Sequence, residues 1–424
     1  MNVLMLTSEI YPNWGGIGTY VMELVGNMED ADVHVVTPKR TQLGNKTFNS
    51  DDELAKLPEN VSVHYLGTAQ DTFKHYSSFQ LACRKSVPDL IEKYDIDIVH
   101  SQNTMPDLFL SPQKLGVPFV TTIHTLDNDR VPAIISAAKA SGRGFFNMHR
   151  SEKMSLLFAY VVRAAGRAYF KNSRYYIAVS HWSKGRLLRH YAVEARRVRV
   201  IYNGVDKQAF TPLNADLAEQ QFPALADTDC PKVLFLSRLT AFKGVHLLMK
   251  AIPRILSEVD AHFIFAGHGD KLAASGYENN ITELGHVAHH ITPYLHAVAD
   301  MFILPSFYEN FPLSILEAMA TGRAAIASNI GGIPELITHG RDGWLVRSGS
   351  VDDIVSAITT LINDDALRKD LGRCARNTVE DHFSWKKVAT EVMEYYASIL
   401  NEDYAQQHPW SRAENSPVRP QGVH

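Results

Sequence analysis

Short, mostly apolar runs, each followed by a stretch with helical spacing, recur along the whole of this 424-residue chain. A strand with one wet face alternates apolar and polar positions. A run that is apolar at successive positions buries both faces, which is the habit of a parallel sheet covered by helices on either side. In the first half the runs at 2–7, 32–37, 61–66, 96–100, 119–123, 175–179 and 198–202 read as strands. Helical spacing falls at 18–27, 77–93, 106–115, 150–170 and 181–191. The pattern then begins afresh, with strands at 232–236, 262–266, 281–284, 301–304, 324–327 and 344–346 and helices at 244–257, 291–298, 313–320, 334–337 and 351–362. The mixed, polar, proline-bearing stretch 207–231 between them reads as a linker with one helical turn. Two Rossmann-like doubly wound parallel-sheet domains, 1–206 and 232–384, are therefore expected, with ligands at the carboxyl ends of strands where the units face each other. Ser384 caps a closing helix over 385–403, and the tail 404–424 is too polar and proline-rich to order.

Composition narrows the class. Hydrophobic residues make up 45% and charged ones 21%, as in an ordinary soluble protein with packed cores. Three cysteines, Cys83, Cys230 and Cys374, lie far apart and without metal-ligand spacing, which fits a reducing compartment. The start MNVLMLTSEI lacks a basic leader and no apolar run reaches spanning length, so a cytoplasmic protein is expected. Of the net charge of −4, the first 210 residues contribute +5 and the remainder −9. Thirteen basic residues stand in 143–199 against Glu152 and Glu194. They read either as a solvated helix face or, with Phe145, Phe146, Leu156, Leu157 and Phe158 nearby, as a peripheral contact with anionic membrane at the inner face of the cell membrane. No nucleic-acid partner is expected.

The stretch 305–322, PSFYENFPLSILEAMATG, carries the chemistry. A buried strand at 301–304 ends at Pro305, a loop follows, and helical spacing starts at Leu313 and stops at Gly322. Glu309 sits in the loop and Glu317 about one turn inside the helix. Strand end, free loop amides and helix N-terminus make an anion site. The two carboxylates beside it are suited to accept hydrogen bonds from hydroxyls, as on a sugar and a ribose.

This segment, with Glu309 and Glu317 set in YENFPLSILEAMATG, resembles the paired-glutamate motif of family-4 retaining glycosyltransferases, which have the GT-B fold. Further residues thicken the likeness. Gly15-Gly16-Ile17-Gly18 follows the first strand and is similar to the family's glycine loop facing the donor; it is not the G-x-G-x-x-G fingerprint, and it reads also as a plain tight turn. His124, in TTIHT, stands at a strand's carboxyl end like the family's histidine at the donor sugar, and Asp127 and Asp129 after it could touch an acceptor. Arg238 and Lys243, in SRLTAFKG, resemble the pair that meets the diphosphate. Asn203-Gly204-Val205-Asp206 is similar to the linker entry, Gly267-His268-Gly269 to a base-pocket element, Gly331-Gly332-Ile333-Pro334-Glu335 to an element near the nucleotide, and Ser180 to a strand-end serine.

The resemblance implies metal-independent transfer of a hexosyl group from a nucleoside-diphosphate sugar, a UDP-sugar or GDP-mannose, to a glycan, glycolipid or small-molecule acceptor, with retention and with no cofactor beyond the donor. Arg238 and Lys243 would hold the diphosphate, Glu309 the sugar and Glu317 the ribose hydroxyls. Asn310, Phe311, Pro312 and Leu313 would complete the donor site, with Gly15, Gly16, Gly18 and Gly267 shaping it. The family's terminal helix crosses back onto the first domain. Three rivals remain open: a metal-dependent Asp-x-Asp enzyme using Asp95/Asp97 or Asp127/Asp129, a glycoside hydrolase using the glutamate pair, and a non-catalytic sugar-nucleotide-binding subunit.

Overall fold

The computed structural model describes residues 1–10, 15–40, 42–43, 46–47, 57–69, 74–103, 107, 109–142, 144, 148, 150–157, 166, 169–170, 175–212, 215–226, 228–272 and 276–407. In its first half the strands are β1 (Asn2–Leu6), β2 (Asp32–Arg40), β3 (Gln42–Leu43), β4 (Lys46–Thr47), β5 (Val61–Ala69), β6 (Ile98–Gln102), β7 (Phe119–Ile123), β8 (Tyr175–Ala178) and β9 (Val198–Val200). Seven of them form one sheet in the order β5-β2-β1-β6-β7-β8-β9, all parallel, while β3 and β4 form a small antiparallel pair. In the second half β10 (Lys232–Leu236), β11 (His262–Ala266), β12 (Ile281–Gly285), β13 (Met301–Leu304), β14 (Ala324–Ser328) and β15 (Trp344–Val346) make a parallel sheet ordered β12-β11-β10-β13-β14-β15. The expected α/β architecture of two Rossmann-like sheets is present.

The apolar runs have the expected cause. Along β1, Val3 and Met5 enter one core while Leu4 and Leu6 enter another on the opposite face. In β13, Met301 and Ile303 serve one side and Phe302 and Leu304 the other. Each such side chain, fully withdrawn from water, contributes about 1.5–3 kcal/mol, so apolar residues fill successive positions of these two runs rather than alternate ones.

Several local readings need correction. The helix Gly16–Gly26 begins two residues early, β6 spans Ile98–Gln102 rather than 96–100, and within 106–115 only the short 3-10 turn Pro112–Lys114 is found among the described residues. The helix expected over 150–170 is described at Arg150–Leu157; 158–165 lie outside the described residues. The linker holds two helices, Ala215–Gln221 and Pro223–Ala226, not one turn. Helices Asp127–Ser141 and Asp365–His382 had no sequence forecast. The first carries Pro132 and a weak apolar stripe; the second buries only Leu371, Gly372, Ala375 and Val379, and several side-chain ion pairs along its exposed face support it.

The chain crosses between the halves twice, side by side. Val205 N donates to Phe383 O at 3.2 Å, and Val205 bridges Ser384 in parallel. A Cβ on Gly204 would lie 2.7 Å from Trp385 N, so only glycine lets the two crossings touch. Ser384 Oγ accepts from Lys387 N at 3.3 Å and caps the helix Trp385–Gln407. That helix runs past the forecast boundary at 404, because its polar end is still built of helix formers; 408–424 lie outside the described residues. Its apolar face, with Trp385, Val392, Tyr396 and Ile399, completes the core of the first sheet. Among the described residues no helix is long and apolar enough to cross a membrane.

Candidate active site

The carboxyl ends of β10 and β13 are neighbours in the second sheet, so the loops leaving them must meet. From β10 come Arg238 and Lys243; from β13 come Ser306, Glu309 and Asn310. Lys243 Nζ lies 2.5 Å from Glu309 Oε1, which also accepts from Ser306 Oγ at 2.7 Å. Arg238 stands on the same rim with an exposed side chain and no ion pair or side-chain hydrogen bond among the described residues. Pro312 takes the N-cap of the helix Leu313–Ala320, and no side chain caps it, so its leading amides stay open to an anion.

Two glycines are required by close backbone approach. Gly331 has φ +58°, and a Cβ there would sit 1.7 Å from the carbonyl oxygen of Glu309. Gly267 has φ +142°, and a Cβ would lie 1.9 Å from Ser237 O. Both press a neighbouring loop from behind.

The first domain meets this loop directly. Asn310 Nδ2 donates to the backbone oxygen of His124 at 2.5 Å, so the asparagine bridges the halves instead of pointing freely at a donor. A Cβ on Gly16 would be 3.8 Å from Leu313 Cδ1, which puts the glycine loop against the start of the helix. Gly15 and Gly16 are exposed and Gly18 is buried in the first turn of its helix. The Phe311 ring turns away from the cleft: it is buried, stacks on Tyr202 with centroids 4.9 Å apart, and its carbonyl accepts from Asn203 Nδ2 at 2.7 Å.

Glu317 is engaged too. His289 Nε2 lies 3.4 Å from its Oε1, and His296 Nε2 stands 3.6 Å from Oε2, too long for a hydrogen bond but close enough for charge attraction. Burial pushes the carboxyl up, but these two imidazoles outweigh it and hold Glu317 at about 2. His289 is pulled the other way: burial lowers it, and Glu317, Glu23 and Asp206 together raise it above its ordinary value. Glu23, on the helix Gly16–Gly26, is raised to about 7, first by burial and then by Asp206 and Glu317. His289, His296 and Glu23 were not picked from the sequence. The spacing of seven between the two histidines, two helical turns, is the signal that could have found them.

The Glu23 shift has a consequence for stability. An ordinary glutamate in the unfolded chain loses its proton near pH 4.3. Folded Glu23 keeps it to about 7. Between those values the folded chain binds more protons, so stability falls as pH rises, and the loss is complete above 7. Glu23→Gln is expected to match the wild type at pH 5 and to exceed it by about 1–2 kcal/mol at pH 8, after discounting for partial exposure. Thermal melts at the two pH values check this; equal shifts at both would reject it.

Other forecast positions have structural duties. Ser180 Oγ accepts from Ser183 N at 3.0 Å and caps its own helix, His181–His190. Glu335 reaches across from the second domain to accept from His181 N and Trp182 N, both at 2.7 Å, and from Tyr202 OH at 3.0 Å. It fastens the domains at a helix N-terminus rather than touching the site itself. Asp129 pairs with Arg186 and lies 3.4 Å from His190 Nε2; the side chain of Asp127 lies outside the described residues. His268 is exposed and stacks on His286 with centroids 5.1 Å apart. In the basic stretch, Arg196 and Arg197 pair with Glu194, and Arg199 with Glu394; Phe145, Phe146 and Phe158 lie outside the described residues. A cavity of about 610 Å³ opens behind the site, between the edge of β9 and the final helix, lined by Lys184, Arg199, Asn203, Lys387 and Tyr395 among others. It holds none of the residues that converge around Glu309.

Comparison with known proteins bears on the family and the fold. The profile described as "Glycosyltransferase Family 4" matches residues 14–209, and "Glycosyl transferases group 1" matches 230–364. The N-acetyl-alpha-D-glucosaminyl L-malate synthase of Bacillus anthracis is 23% identical, over 93% of this chain and 96% of its own length. The alpha-maltose-1-phosphate synthase of Mycolicibacterium smegmatis is 27% identical, over 94% and 100%. Among solved structures, a sucrose-phosphate synthase from Thermosynechococcus elongatus superposes with a TM-score of 0.76 at 20% identity, covering 95% of this chain and 99% of that one. Anabaena HepE in complex with UDP-glucose gives 0.69 at 21% identity, covering 94% and 100%. These last two establish likeness of fold.

Proposed function

The chain belongs to the group 1, family 4 glycosyltransferases of GT-B fold, and from that premise we propose that it moves a hexosyl group, with retention and without a metal, from a UDP-sugar or GDP-mannose to a glycan, glycolipid or small-molecule acceptor. The observation that carries the reading is the meeting of Lys243 with Glu309 beside an uncapped helix N-terminus, closed from the other domain by His124 and the glycine loop. A departing diphosphate gains negative charge as the glycosidic bond breaks. Fixed cations and open amides stabilise it more in the transition state than in the ground state.

The Lys243 ammonium has Glu309 as its counter-ion. A bound diphosphate competes for that ammonium and frees Glu309 to accept from a sugar hydroxyl. Arg238 supplies a planar fork for a second phosphate. Glu317, anionic between its histidines, accepts from ribose hydroxyls. In the retaining scheme the acceptor attacks from the face of the leaving group, whose phosphate oxygen takes the proton, so no protein nucleophile is required.

The Asp-x-Asp alternative is weakened by what those carboxylates already do. Asp97 Oδ2 accepts from Asn2 N at 2.7 Å, and Asp129 is held by Arg186. A non-catalytic sugar-nucleotide-binding subunit would use the same cation, carboxylate and open amides to hold a donor, and only release of nucleoside diphosphate separates it from an enzyme. The buried thiol Cys83 and the half-buried Cys230 and Cys374, all free, fit a reducing, cytoplasmic setting.

The test is a melt with UDP-glucose, other UDP-sugars, ADP-glucose and GDP-mannose in turn, each with and without EDTA, followed by assay of released nucleoside diphosphate. One donor is expected to raise the melting temperature, since a ligand at a hundred times its Kd stabilises by about 2.7 kcal/mol. Release of diphosphate should be unaffected by the chelator. No shift with any donor would defeat the reading, and activity abolished by EDTA would restore the metal-dependent one.

A further inference from the structure

Behind His124 runs a buried polar chain that reaches the last helix. His124 Nε2 lies 2.9 Å from Gln102 Oε1. The amide nitrogen of Gln102 points the other way, 2.9 Å from Met5 Sδ and 3.3 Å from His100 Nε2. His100 Nε2 in turn lies 2.7 Å from Thr122 Oγ1, and its Nδ1 meets the Tyr396 hydroxyl. Gln102 is 1% exposed, and His100, Thr122 and Tyr396 are wholly buried, so no water can exchange for any of these partners. A second contact joins the same places: the Tyr20 ring packs edge-on against His124 at 4.7 Å and against Trp385 at 5.5 Å. His100 and Gln102 lie two apart on β6 and so share one face of the sheet.

We propose that Gln102 is a positioning residue, anchored through His100 to Tyr396 of the final helix, which holds His124 as the tautomer protonated at Nε2 and leaves Nδ1 as the ring's acceptor for a hydroxyl of the donor sugar. The directions are mutually consistent. With the Gln102 amide nitrogen facing His100 Nε2 and Met5, that ring nitrogen carries no proton and its lone pair is shared by Gln102 and Thr122, so the ring's one proton sits at Nδ1 and is donated to Tyr396. The Gln102 oxygen is left for His124, which must donate to it. Burial lowers both histidines to about 3, so each ring carries one proton through the neutral range. A helix that leaves the second domain and lies across the first thus sets the chemical state of a donor-site residue.

The inference rests on His124 acting at the sugar, and the experiment separates the two. Nitrogen-15 NMR of the whole protein, with labelled histidine, reads the tautomer directly: a pyrrole-type signal at Nε2 and a pyridine-type one at Nδ1 are expected. Gln102→Leu should lower kcat about 10- to 100-fold, with donor KM changed less than about threefold. Gln102→Glu sets a carboxylate on the ring and should move the acid limb of the kcat–pH profile up by about 1–3 pH units. Tyr396→Phe, which removes only a hydroxyl, should broaden or shift the same ring signals. A wild-type His124 protonated at Nδ1 overturns the proposal, as do Gln102 variants with unchanged kcat and pH profile in an enzyme that His124→Ala disables. If instead His124→Ala retains full turnover while the tautomer is as stated, the sugar contact fails and the relay stands.

Discussion

Exchanging Arg238 for alanine should lower kcat about 10²–10³-fold while the protein melts almost as the wild type does. The rate follows from removing one fixed charge aimed at a developing anion, worth about 2.7–4 kcal/mol in comparable sites. The unchanged stability follows from the surroundings. The side chain is exposed and unpaired among the described residues, and such positions shift stability by no more than about 0.5 kcal/mol. Lys243 makes a poorer probe. Its removal leaves the nearly buried Glu309 carboxylate with Ser306 alone, and breaking a buried pair costs about 3–5 kcal/mol, so lost folding and lost chemistry would be mixed. Arg238→Lys keeps the charge without the fork and should fall between. Initial rates at saturating donor, together with a melt, decide it: turnover above about a third of wild type removes Arg238 from the diphosphate.

Gly331→Ala should damage both folding and turnover, although the residue bears no chemistry. The added carbon would stand 1.7 Å from the Glu309 carbonyl oxygen, at a φ of +58°. The loop it strikes cannot simply retreat. Asn203 holds it at the Phe311 carbonyl, Asn310 ties it to His124, and Lys243 grips Glu309. Overpacking of this kind costs about 1–3 kcal/mol or more, a drop of about 2–4 °C per kcal/mol in domains of this size. Relief of the clash displaces Glu309 from Lys243. Gly340→Ala is the control: its φ is +75°, but a Cβ there meets nothing within 4 Å. It should show only the left-handed strain of about 1–2 kcal/mol and keep its turnover. Equal melting points and equal rates for the two variants would mean that the backbone contact behind Glu309 does not shape the site.

Most of the fold was legible because it depends on short-range pattern. Burial on both faces makes Val3–Leu6 of β1, Val233–Leu236 of β10 and all of β13 apolar at successive positions, so strand type can be read from a few consecutive residues. The unforecast helices fail that test for opposite reasons: Asp127–Ser141 carries a proline and a diffuse apolar stripe, and Asp365–His382 is mostly solvated. The glycine at 331 was visible as part of a motif, while its purpose was not, since the carbonyl it accommodates belongs to a residue 22 positions earlier.

By itself, then, the order of residues determined the α/β class, the two-sheet division and the family. Apolar period, glycine placement and local motifs are properties of neighbours within a turn or a strand. Tertiary structure alone decided which polar groups meet: Lys243 with Glu309, Glu335 with the amides of His181 and Trp182, Glu317 with His289, and His124 with Gln102 and, through His100, Tyr396. A hydrogen bond needs atoms about 3 Å apart, and whether residues between 22 and 296 positions apart reach that distance depends on how two sheets and a returning helix stand against one another.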